Sequence, residues 1–180
     1  MPDLHTNTLP SPLGDILLIW QGDALGLLDF ADNTDRIARL TARHFKSAQL
    51  ITAPVPQHIN TAFSVFFADG NDRQIMDLPT MKLGTEFQRT VWAELRRISK
   101  GQPISYADLA TRLGKPTAVR AVARANALNP ISLAVPCHRV IAKGGGLGGY
   151  AGGLERKQWL LDHEAQAAGT LTELPITHRS

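Results

Sequence analysis

The only cysteine in the 180 residues, Cys137, is followed directly by His138 and Arg139. The thiolate form of cysteine is the reactive nucleophile, and neighbouring cationic groups lower the pKa of a thiol, so these two residues are candidates for activating it. Position 143 holds Lys143 instead of the arginine of a C-x5-R phosphatase loop, and no second cysteine forms a C-x-x-C pair. Cys137 is therefore either a nucleophile or the small buried apolar residue that an isolated cysteine most often is.

The stretch "NPISLAV" before the thiol predicts a turn and then a buried strand that ends at Pro136, which has no N–H to donate. Successive side chains of a strand point to opposite faces, so Cys137 and His138 can pair only across a bend or a bridging water. Glu164, in the predicted helix "LERKQWLLDHE", is a candidate to orient His138 in a Cys–His–Glu relay. The alternative for Glu164 is a solvated surface acid.

The segment "KGGGLGGYAGG", which contains Tyr150, predicts a flexible loop. Because glycine has no Cβ, a flat ring could come close to the backbone of such a loop. The G-K-[ST] ending of a phosphate-binding loop is missing, so that function is excluded.

A pair of short helices is predicted upstream of the thiol, after a first helix that begins with a Thr85–Gln88 capping box. "SYADLATRLG" begins with the Ser105–Asp108 capping pattern, and "TAVRAVARANA" follows with Pro116 at its first helical position. Two short helices joined by a glycine-containing turn are typical of a helix-turn-helix. Many enzymes contain such a pair as ordinary core, so the pattern alone leaves DNA binding open.

The second helix of this pair is rich in alanine, and Arg120 and Arg124 lie one turn apart on one face. Small side chains let a helix approach nucleic acid closely, and arginines suit phosphates. Alanine is also simply the best helix former. The predicted small apolar face consists of Ala118, Ala121, Val122 and Ala125.

Charge is divided unevenly along the chain. Residues 1–80 carry 5 Lys and Arg against 9 Asp and Glu, whereas residues 81–180 carry 14 against 7, for a net charge of +3. This asymmetry indicates that the second half meets an anion, with nucleic acid as the leading candidate. The alternative is a surface that is merely solvated by basic side chains.

The first 80 residues predict a small mixed α+β unit. "GDILLIWQGDALGLLDFAD" is a hairpin signal, and "NTDRIARLTARHF" and "HINTAFSVFFADG" have helical periodicity. "RQIMDLPTMKLG" predicts another short strand. We find no apolar run near the ~18 residues that span a membrane, no signal peptide, and no cysteine-rich zinc site, so a cytoplasmic protein is expected.

The stretch "NPISLAVPCHRVI" resembles the P-C-H-R-V signature of the O6-alkylguanine-DNA alkyltransferases, the suicidal DNA-repair methyltransferases, and is most similar to the bacterial Ogt-like branch. The similarity runs from about Gly84 to Glu164, along the whole catalytic domain of the family. It implies an α+β fold with a small ribonuclease H-like α/β domain at residues 1–83. Residues 84–166 would form a mostly helical catalytic domain with a helix-turn-helix and a short active-site strand, and residues 167–180 a flexible tail.

The resemblance also implies roles for individual residues. Cys137 would accept the alkyl group, His138 would act as base through a water, and Glu164 would orient His138. Asn129 would brace the turn before the active strand, and Tyr106 would rotate the target nucleotide and hydrogen-bond the guanine edge. Arg120 would fill the gap left in the duplex, and other DNA contacts would come from Tyr106, Ala121, Ala123 and Arg124.

The implied base pocket is lined by Val140, Gly148, Gly149, Tyr150, Ala151, Gly152 and Asn126. Backbone N–H groups of its loop would bind O6, and the backbone carbonyls of Cys137 and Val140 would read the guanine amino group. Ala123 stands where many members have glycine and Ala151 where some have serine, which are mild changes. No metal and no cofactor are needed, and the expected partner is double-stranded DNA with O6-alkylguanine, bound in the minor groove by a monomer.

Three functions are weighed on these observations. The leading one is direct-reversal DNA repair, in which one chain performs one irreversible transfer from O6-alkylguanine, with O4-alkylthymine as a further candidate substrate. A non-catalytic DNA-binding sensor or regulator of alkyl lesions is the second. A Cys–His hydrolase or a redox-sensing thiol is the third.

Overall fold

The computed structural model describes residues 3–169 and has a mixed α/β architecture. Its first half contains a four-stranded sheet in the order β3-β2-β1-β4, in which β4 is parallel to β1 and the other pairs are antiparallel. The elements in chain order are β1 (Leu4–Leu9), β2 (Ile16–Gln21), β3 (Ala24–Phe30), α1 (Thr34–His44), β4 (Leu50–Thr52), α2 (Gln57–Asp69) and α3 (Arg73–Met76).

The second half is mostly helical, as predicted. Both predicted capping boxes are present: the Gln88 N–H donates to Thr85 Oγ1 over 3.2 Å, and the Asp108 N–H donates to Ser105 Oγ over 3.0 Å. The elements are α4 (Glu86–Leu95), β5 (Ile104–Ser105), α5 (Tyr106–Arg112), α6 (Val119–Ala127), a 3-10 helix (Cys137–Arg139), β6 (Val140–Ile141), which is parallel to β5, and α7 (Leu154–Ala168).

The predicted β2–β3 hairpin is confirmed. Gln21 pairs with Ala24, so the loop is the dipeptide Gly22–Asp23, and Gly22 adopts a φ of 56°. A positive φ suits the tight two-residue turns that match the twist of the flanking strands.

The predicted strand in "RQIMDLPTMKLG" is wrong. Residues 73–76 form the short helix α3, because Ile75 is buried in the main core and the Met76 N–H donates to the Asp72 carbonyl over 2.9 Å. Thr80 forms only an isolated bridge with Leu25.

The start of α6 also differs from the prediction. The helix begins at Val119, and Pro116 lies in the preceding turn, which the Ala118 N–H closes on the Lys115 carbonyl over 2.9 Å. Of the predicted apolar face, Val122 and Ala125 are buried as expected and Ala118 is half-buried, but Ala121 is exposed, and the helix buries the polar Asn126 in addition.

The edge strand β3 positions the segment that leads to the thiol. The Leu28 N–H donates to the Pro130 carbonyl and the Ser132 N–H donates to the Leu28 carbonyl, both over 2.9 Å. These bonds satisfy a sheet edge that would otherwise be open.

The main hydrophobic core contains buried residues from both halves, among them Phe30 and Phe63 from the first and Val91, Val122 and Cys137 from the second. The predicted division at residues 83 and 84 stays a prediction. Of the predicted tail, residues 167–168 belong to α7, and residues 170–180 lie outside the described residues. None of the helices within residues 3–169 is long and apolar enough to span a membrane.

Arg36, on α1, is a buried polar link between the halves. Its guanidinium donates to the buried Asp29 carboxylate of β3 and to the carbonyls of Ala127 and Asn129, over 2.9 and 2.7 Å respectively, at the end of α6. One side chain therefore satisfies a buried charge and two backbone acceptors at once.

We expect Arg36→Met to lower the free energy of unfolding by about 3–5 kcal/mol, because it leaves the Asp29 carboxylate buried and unpaired. Urea denaturation at pH 7 measures this change. Arg39→Met, at an exposed position of the same helix, is the matched control and is expected to stay within about 0.5 kcal/mol of the parent. Equal losses in the two variants would contradict the role of Arg36.

Candidate active site

The thiol lies in a turn and not at the end of a strand. Residues 132–135 fold back, and the predicted strand is reduced to an isolated bridge between Ile131 and Leu28. Asn129 explains this, because its Nδ2 donates to the Val135 carbonyl over 2.7 Å and its Oδ1 accepts from the Ile131 N–H over 3.0 Å. The Asn129 side chain thus binds the Val135 carbonyl and the Ile131 N–H, which would otherwise pair with a neighbouring strand.

Leu133 sits inside this turn with a φ of 69°, a left-handed conformation that is strained for a leucine. Strain of this kind persists only where the surroundings enforce it, and here the side chain is 2% exposed. The turn delivers Cys137 as the first residue of the 3-10 helix, which supplies the bend that pairing with His138 requires.

His138 and Glu164 lie together in the core. His138 Nε2 is 2.8 Å from Glu164 Oε1, and each residue is at most 1% exposed. A carboxylate can only accept, so Nε2 carries a proton, and Nδ1 is an acceptor whenever the ring is neutral. Nδ1 is buried and has no hydrogen-bond partner among the described residues. The alternative of a solvated Glu164 is thereby excluded.

Arg139 shares the same carboxylate. Its Nε donates to Glu164 Oε2 over 3.0 Å, Nη2 donates to Asp72 Oδ2 over 2.8 Å, and Nη1 donates to the Ile98 carbonyl over 2.8 Å. Burial would raise the pKa of Glu164, but the charges and hydrogen bonds of His138 and Arg139 outweigh it and lower that pKa to about 2. Glu164 is therefore ionised at neutral pH.

A cavity of about 400 Å³ opens beside the thiol. Its volume falls within the range of small-molecule sites. The lining combines α1, α5, α6, the 3-10 helix and the glycine-rich loop: Arg36, Tyr106, Ala123, Asn126, Ala127, Cys137, Gly149, Tyr150 and Ala151. A second cavity of about 300 Å³ lies on the other side of the turn, against α4, and does not contain Cys137.

Burial raises the pKa of the Cys137 thiol. A hydrogen bond from Asn129 and the positive charges of Arg36 and Lys157 oppose this increase without cancelling it. The expectation that Arg139 acts on the thiol is not met, since its guanidinium is committed to Glu164 and Asp72. A resting Cys137 is thus a protonated thiol that needs a base.

Lys157, on α7, is a buried residue that sequence reasoning missed. Its Nζ donates to the carbonyls of Val140 and Gly149, over 2.6 and 3.1 Å, and so ties β6 to the glycine-rich loop. Burial lowers the pKa of Lys157 to about 8, although the nearby Cys137 raises it. Lys157 and Glu164 are seven residues apart and therefore lie on the same face of α7. This spacing is the sequence signal that could have indicated that Lys157 is buried.

Asp29 and Arg36 were also missed. Asp29 is a charged residue within the otherwise apolar strand β3, and this was a usable signal, because a charge in a buried strand needs a partner. Nothing local indicates that the partner is Arg36, or that Arg36 reaches the carbonyl of Asn129 at a separation of 93 residues.

Glycine is required at two positions of the loop. A Cβ on Gly148 would come within 3.2 Å of the Tyr106 ring, and one on Gly152 would come within 2.8 Å of the Tyr150 ring and 2.9 Å of Phe30. The backbone therefore approaches aromatic rings closely at both ends of the loop, as expected from its composition.

The first half of the chain holds this loop in place. Asn33 Nδ2 donates to the Ala151 carbonyl over 2.9 Å, and Arg156 Nη1 donates to the Gly152 carbonyl over 3.2 Å. Arg156 also pairs with Asp32 over 2.8 Å, which joins the start of α7 to the segment before α1.

The structure brings together most residues of the predicted base pocket, namely Asn126, Gly149, Tyr150 and Ala151. Val140, Gly148 and Gly152 do not line the cavity: Val140 accepts from Lys157, and the two glycines lie against the rings of Tyr106 and Tyr150, which do line it. The Tyr150 hydroxyl is buried without a partner among the described residues, and burial raises the pKa of Tyr150 well above its usual value.

The proposed DNA-facing residues occupy the outer surface of α6. Arg120, Ala121 and Arg124 are exposed, whereas Ala123 is half-buried and lines the cavity. Tyr106, the first residue of α5, is half-buried at the cavity wall, and burial raises the pKa of Tyr106. Helix α6 thus connects an exposed basic surface with the thiol cavity. Residues 3–169 contain no group of His, Cys, Asp and Glu that could hold a metal ion.

Comparison with known proteins identifies similar chains and folds. Residues 86–166 match the family described as 6-O-methylguanine DNA methyltransferase, DNA binding domain. A methylated-DNA--protein-cysteine methyltransferase of Shigella flexneri is 42% identical over 159 residues, which are 87% of this chain and 92% of the relative. The protein of the same name from Haemophilus influenzae is 37% identical over 164 residues, which are 91% and 88% of the two chains.

The fold also has a solved counterpart. The crystal structure of Mycobacterium tuberculosis OGT in complex with DNA superposes with a TM-score of 0.77 at 34% identity, over 91% of this chain and 94% of that one. This likeness confirms the predicted fold class.

The ionised Glu164 predicts a pH-dependent contribution to stability. Its pKa is depressed in the folded protein, so the contribution is complete above the unfolded value near 4.3 and is lost as pH falls towards about 2. At pH 7 we expect Glu164→Gln to lower the free energy of unfolding by roughly 3 kcal/mol, and this difference to shrink between about pH 5 and pH 2.

Urea denaturation at a series of pH values measures this difference. Glu155→Gln, an exposed acid in the first turn of the same helix, is the control, and we expect its effect to be small at every pH. A Glu164→Gln effect that stays constant from pH 7 to pH 3 would rule out the depressed pKa.

Proposed function

The chain belongs to the family of methylated-DNA–protein-cysteine methyltransferases, and we propose that Cys137 is the residue that accepts the alkyl group. Proteins of this family repair DNA by direct reversal, moving the alkyl group from O6 of guanine to a cysteine of the protein. One observation carries the assignment: Cys137 is the only cysteine of the chain, and it lines a cavity that also contains Tyr106, Asn126 and Tyr150.

The proposed alkyl transfer to Cys137 can be written with the groups of His138 and Glu164. The Cys137 sulfur attacks the alkyl carbon, a C–S bond forms, and the C–O6 bond breaks with its electron pair left on guanine. The proton of the thiol passes through a water to His138 and ends on the guanine. Glu164 stabilises the transient imidazolium, in the manner of a base and its orienting group. The thioether has no neighbouring group able to hydrolyse it, so each chain acts once and needs no cofactor.

Access to O6 requires the base to leave the duplex, because the atom lies inside it. The exposed Arg120 and Arg124 support α6 as the DNA-facing element, with Ala121 and Ala123 allowing a close approach. We place this helix in the minor groove, with Arg120 filling the gap and Tyr106 turning the nucleotide into the cavity. All of these residues come from one chain, which supports a monomer as the acting unit.

The cavity walls suit a flipped base. The half-buried ring of Tyr150 and the backbone at Gly149 and Ala151 offer a flat surface and N–H groups towards O6. Asn129 holds the turn that presents the thiol. Residues 1–83 and 84–166 are proposed as the two units of the protein, with Asn33 and Arg36 of the first unit completing the site of the second.

Intact-mass measurement tests the acceptor. After mixing with an equimolar duplex that carries O6-methylguanine, the protein is expected to gain one methyl group at Cys137, while Cys137→Ala binds the DNA and gains none. Methylation elsewhere, or lesion-selective binding without transfer, would refute the assignment, and the latter would favour a lesion sensor. Repeated ester turnover by substoichiometric protein would favour a hydrolase.

Substitution of Arg120 tests the DNA-facing role of α6. We expect Arg120→Ala to slow transfer from duplex DNA by about 10- to 100-fold, because the cost of base flipping is a few kcal/mol, and to leave transfer from the free base O6-benzylguanine unchanged. Arg97→Ala removes an exposed charge that follows the end of α4 and serves as the control. Equal rates of duplex repair for Arg120→Ala and the parent would disprove the role.

A further inference from the structure

Asn126 is a buried amide with only one of its two polar side-chain atoms hydrogen-bonded within residues 3–169. Its Nδ2 donates to the Cys137 carbonyl over 3.4 Å, whereas its Oδ1 has no partner among residues 3–169. The side chain belongs to a residue that is 5% exposed and lines the thiol cavity. A buried acceptor without a donor is costly, so it is expected to meet one in the working state of the site.

The orientation of this amide is fixed by its neighbour. Rotating the side-chain amide by 180° would bring Oδ1 against the carbonyl oxygen of Cys137, and two acceptors would then face each other. The Cys137 carbonyl therefore holds Nδ2 towards the backbone and leaves Oδ1 as the acceptor that remains open.

The two carbonyls that the resemblance assigns to the guanine amino group each already accept at least one hydrogen bond, and a carbonyl oxygen has two lone pairs. The Val140 carbonyl accepts from Lys157 Nζ over 2.6 Å, and the Cys137 carbonyl accepts from Asn126 itself. The other buried unpartnered atoms have different capacities: His138, whose Nδ1 is assigned to the relay, does not line the cavity, and the Tyr150 hydroxyl can donate as well as accept. Asn126 Oδ1 can only accept, so it requires an N–H donor on the ligand.

The chemistry of the alkylated base supplies one such donor. Alkylation at O6 removes the proton from N1, so the 2-amino group is the only N–H donor left on O6-alkylguanine in DNA. Thymine carries the acceptor O2 at the matching position of its ring, and hypoxanthine carries only hydrogen there. A side chain that reads this position distinguishes guanine from both.

We infer that Asn126 Oδ1 accepts a hydrogen bond from the 2-amino group of the flipped guanine and is a specificity-determining residue of the site. The inference rests on the proposed function. It assigns the base selectivity of the chain to a side chain on the DNA-facing helix, in addition to the backbone carbonyls of Cys137 and Val140.

Single-turnover rates with matched duplexes test the inference. The second-order rate constant of transfer is measured for duplexes that carry O6-methylguanine or O6-methylhypoxanthine at the same position, and the ratio of the two constants is compared between variants. The parent is expected to favour guanine, and Asn126→Leu, which keeps the number and branching of the side-chain heavy atoms and removes the acceptor, is expected to reduce the ratio by about 5- to 10-fold. Asn60→Leu makes the same change at an exposed position of α2 and is expected to retain the parent ratio.

A ratio has the advantage that a partly folded variant lowers both rate constants equally. If Asn126→Leu does not fold, Asn126→Ala answers the same question. An unchanged ratio with both rates reduced would overturn the inference, because Asn126 would then only support the Cys137 carbonyl. A parent protein that gains no methyl group from O6-methylguanine would instead refute the proposed function.

Discussion

A single buried carboxylate, that of Glu164, constrains the rest of the site. An ionised carboxylate in the core is tolerated only when its partners are complete, and those partners are the consecutive residues His138 and Arg139. Two neighbouring side chains can reach one carboxylate only from a tight bend, which the 3-10 helix provides. Arg139 then extends the network to Asp72, just before α3, and to the Ile98 carbonyl in the turn after α4, so the thiol segment is fixed to α7 and to two connecting segments.

A second polar junction joins the sheet to the same segment. Arg36 pairs with Asp29 on β3 and binds the carbonyls that end α6, while Asn129 takes the hydrogen bonds of the following turn. The first half of the chain therefore does more than support the second half. It supplies Arg36 to the cavity wall and Asn33 to the glycine-rich loop, so the shape of the thiol cavity depends on both halves.

Two opposing effects act on the pKa of the Cys137 thiol: burial raises it, and nearby positive charges lower it. Burial raises the pKa of Cys137 and keeps the resting sulfur protonated, which protects a residue that can react only once. The positive charges of Arg36 and Lys157 favour the thiolate form of Cys137. The same burial favours a ligand with matching polar groups, because the Asn126 Oδ1 and the Tyr150 hydroxyl at the cavity have no partner among residues 3–169.

The sequence by itself determined the local elements and the chemistry they carry: the hairpin, the capping boxes at Thr85 and Ser105, the adjacency of Cys137 and His138, and the family resemblance through the P-C-H-R-V signature. These features depend on neighbours a few residues apart. Only the tertiary structure decided that "NPISLAV" is a turn, that Glu164, Arg36 and Lys157 are buried, and that Asn126 keeps an open acceptor. The physical reason is that a charged or amide side chain is buried or exposed according to its partners, and here those partners are up to 93 residues away.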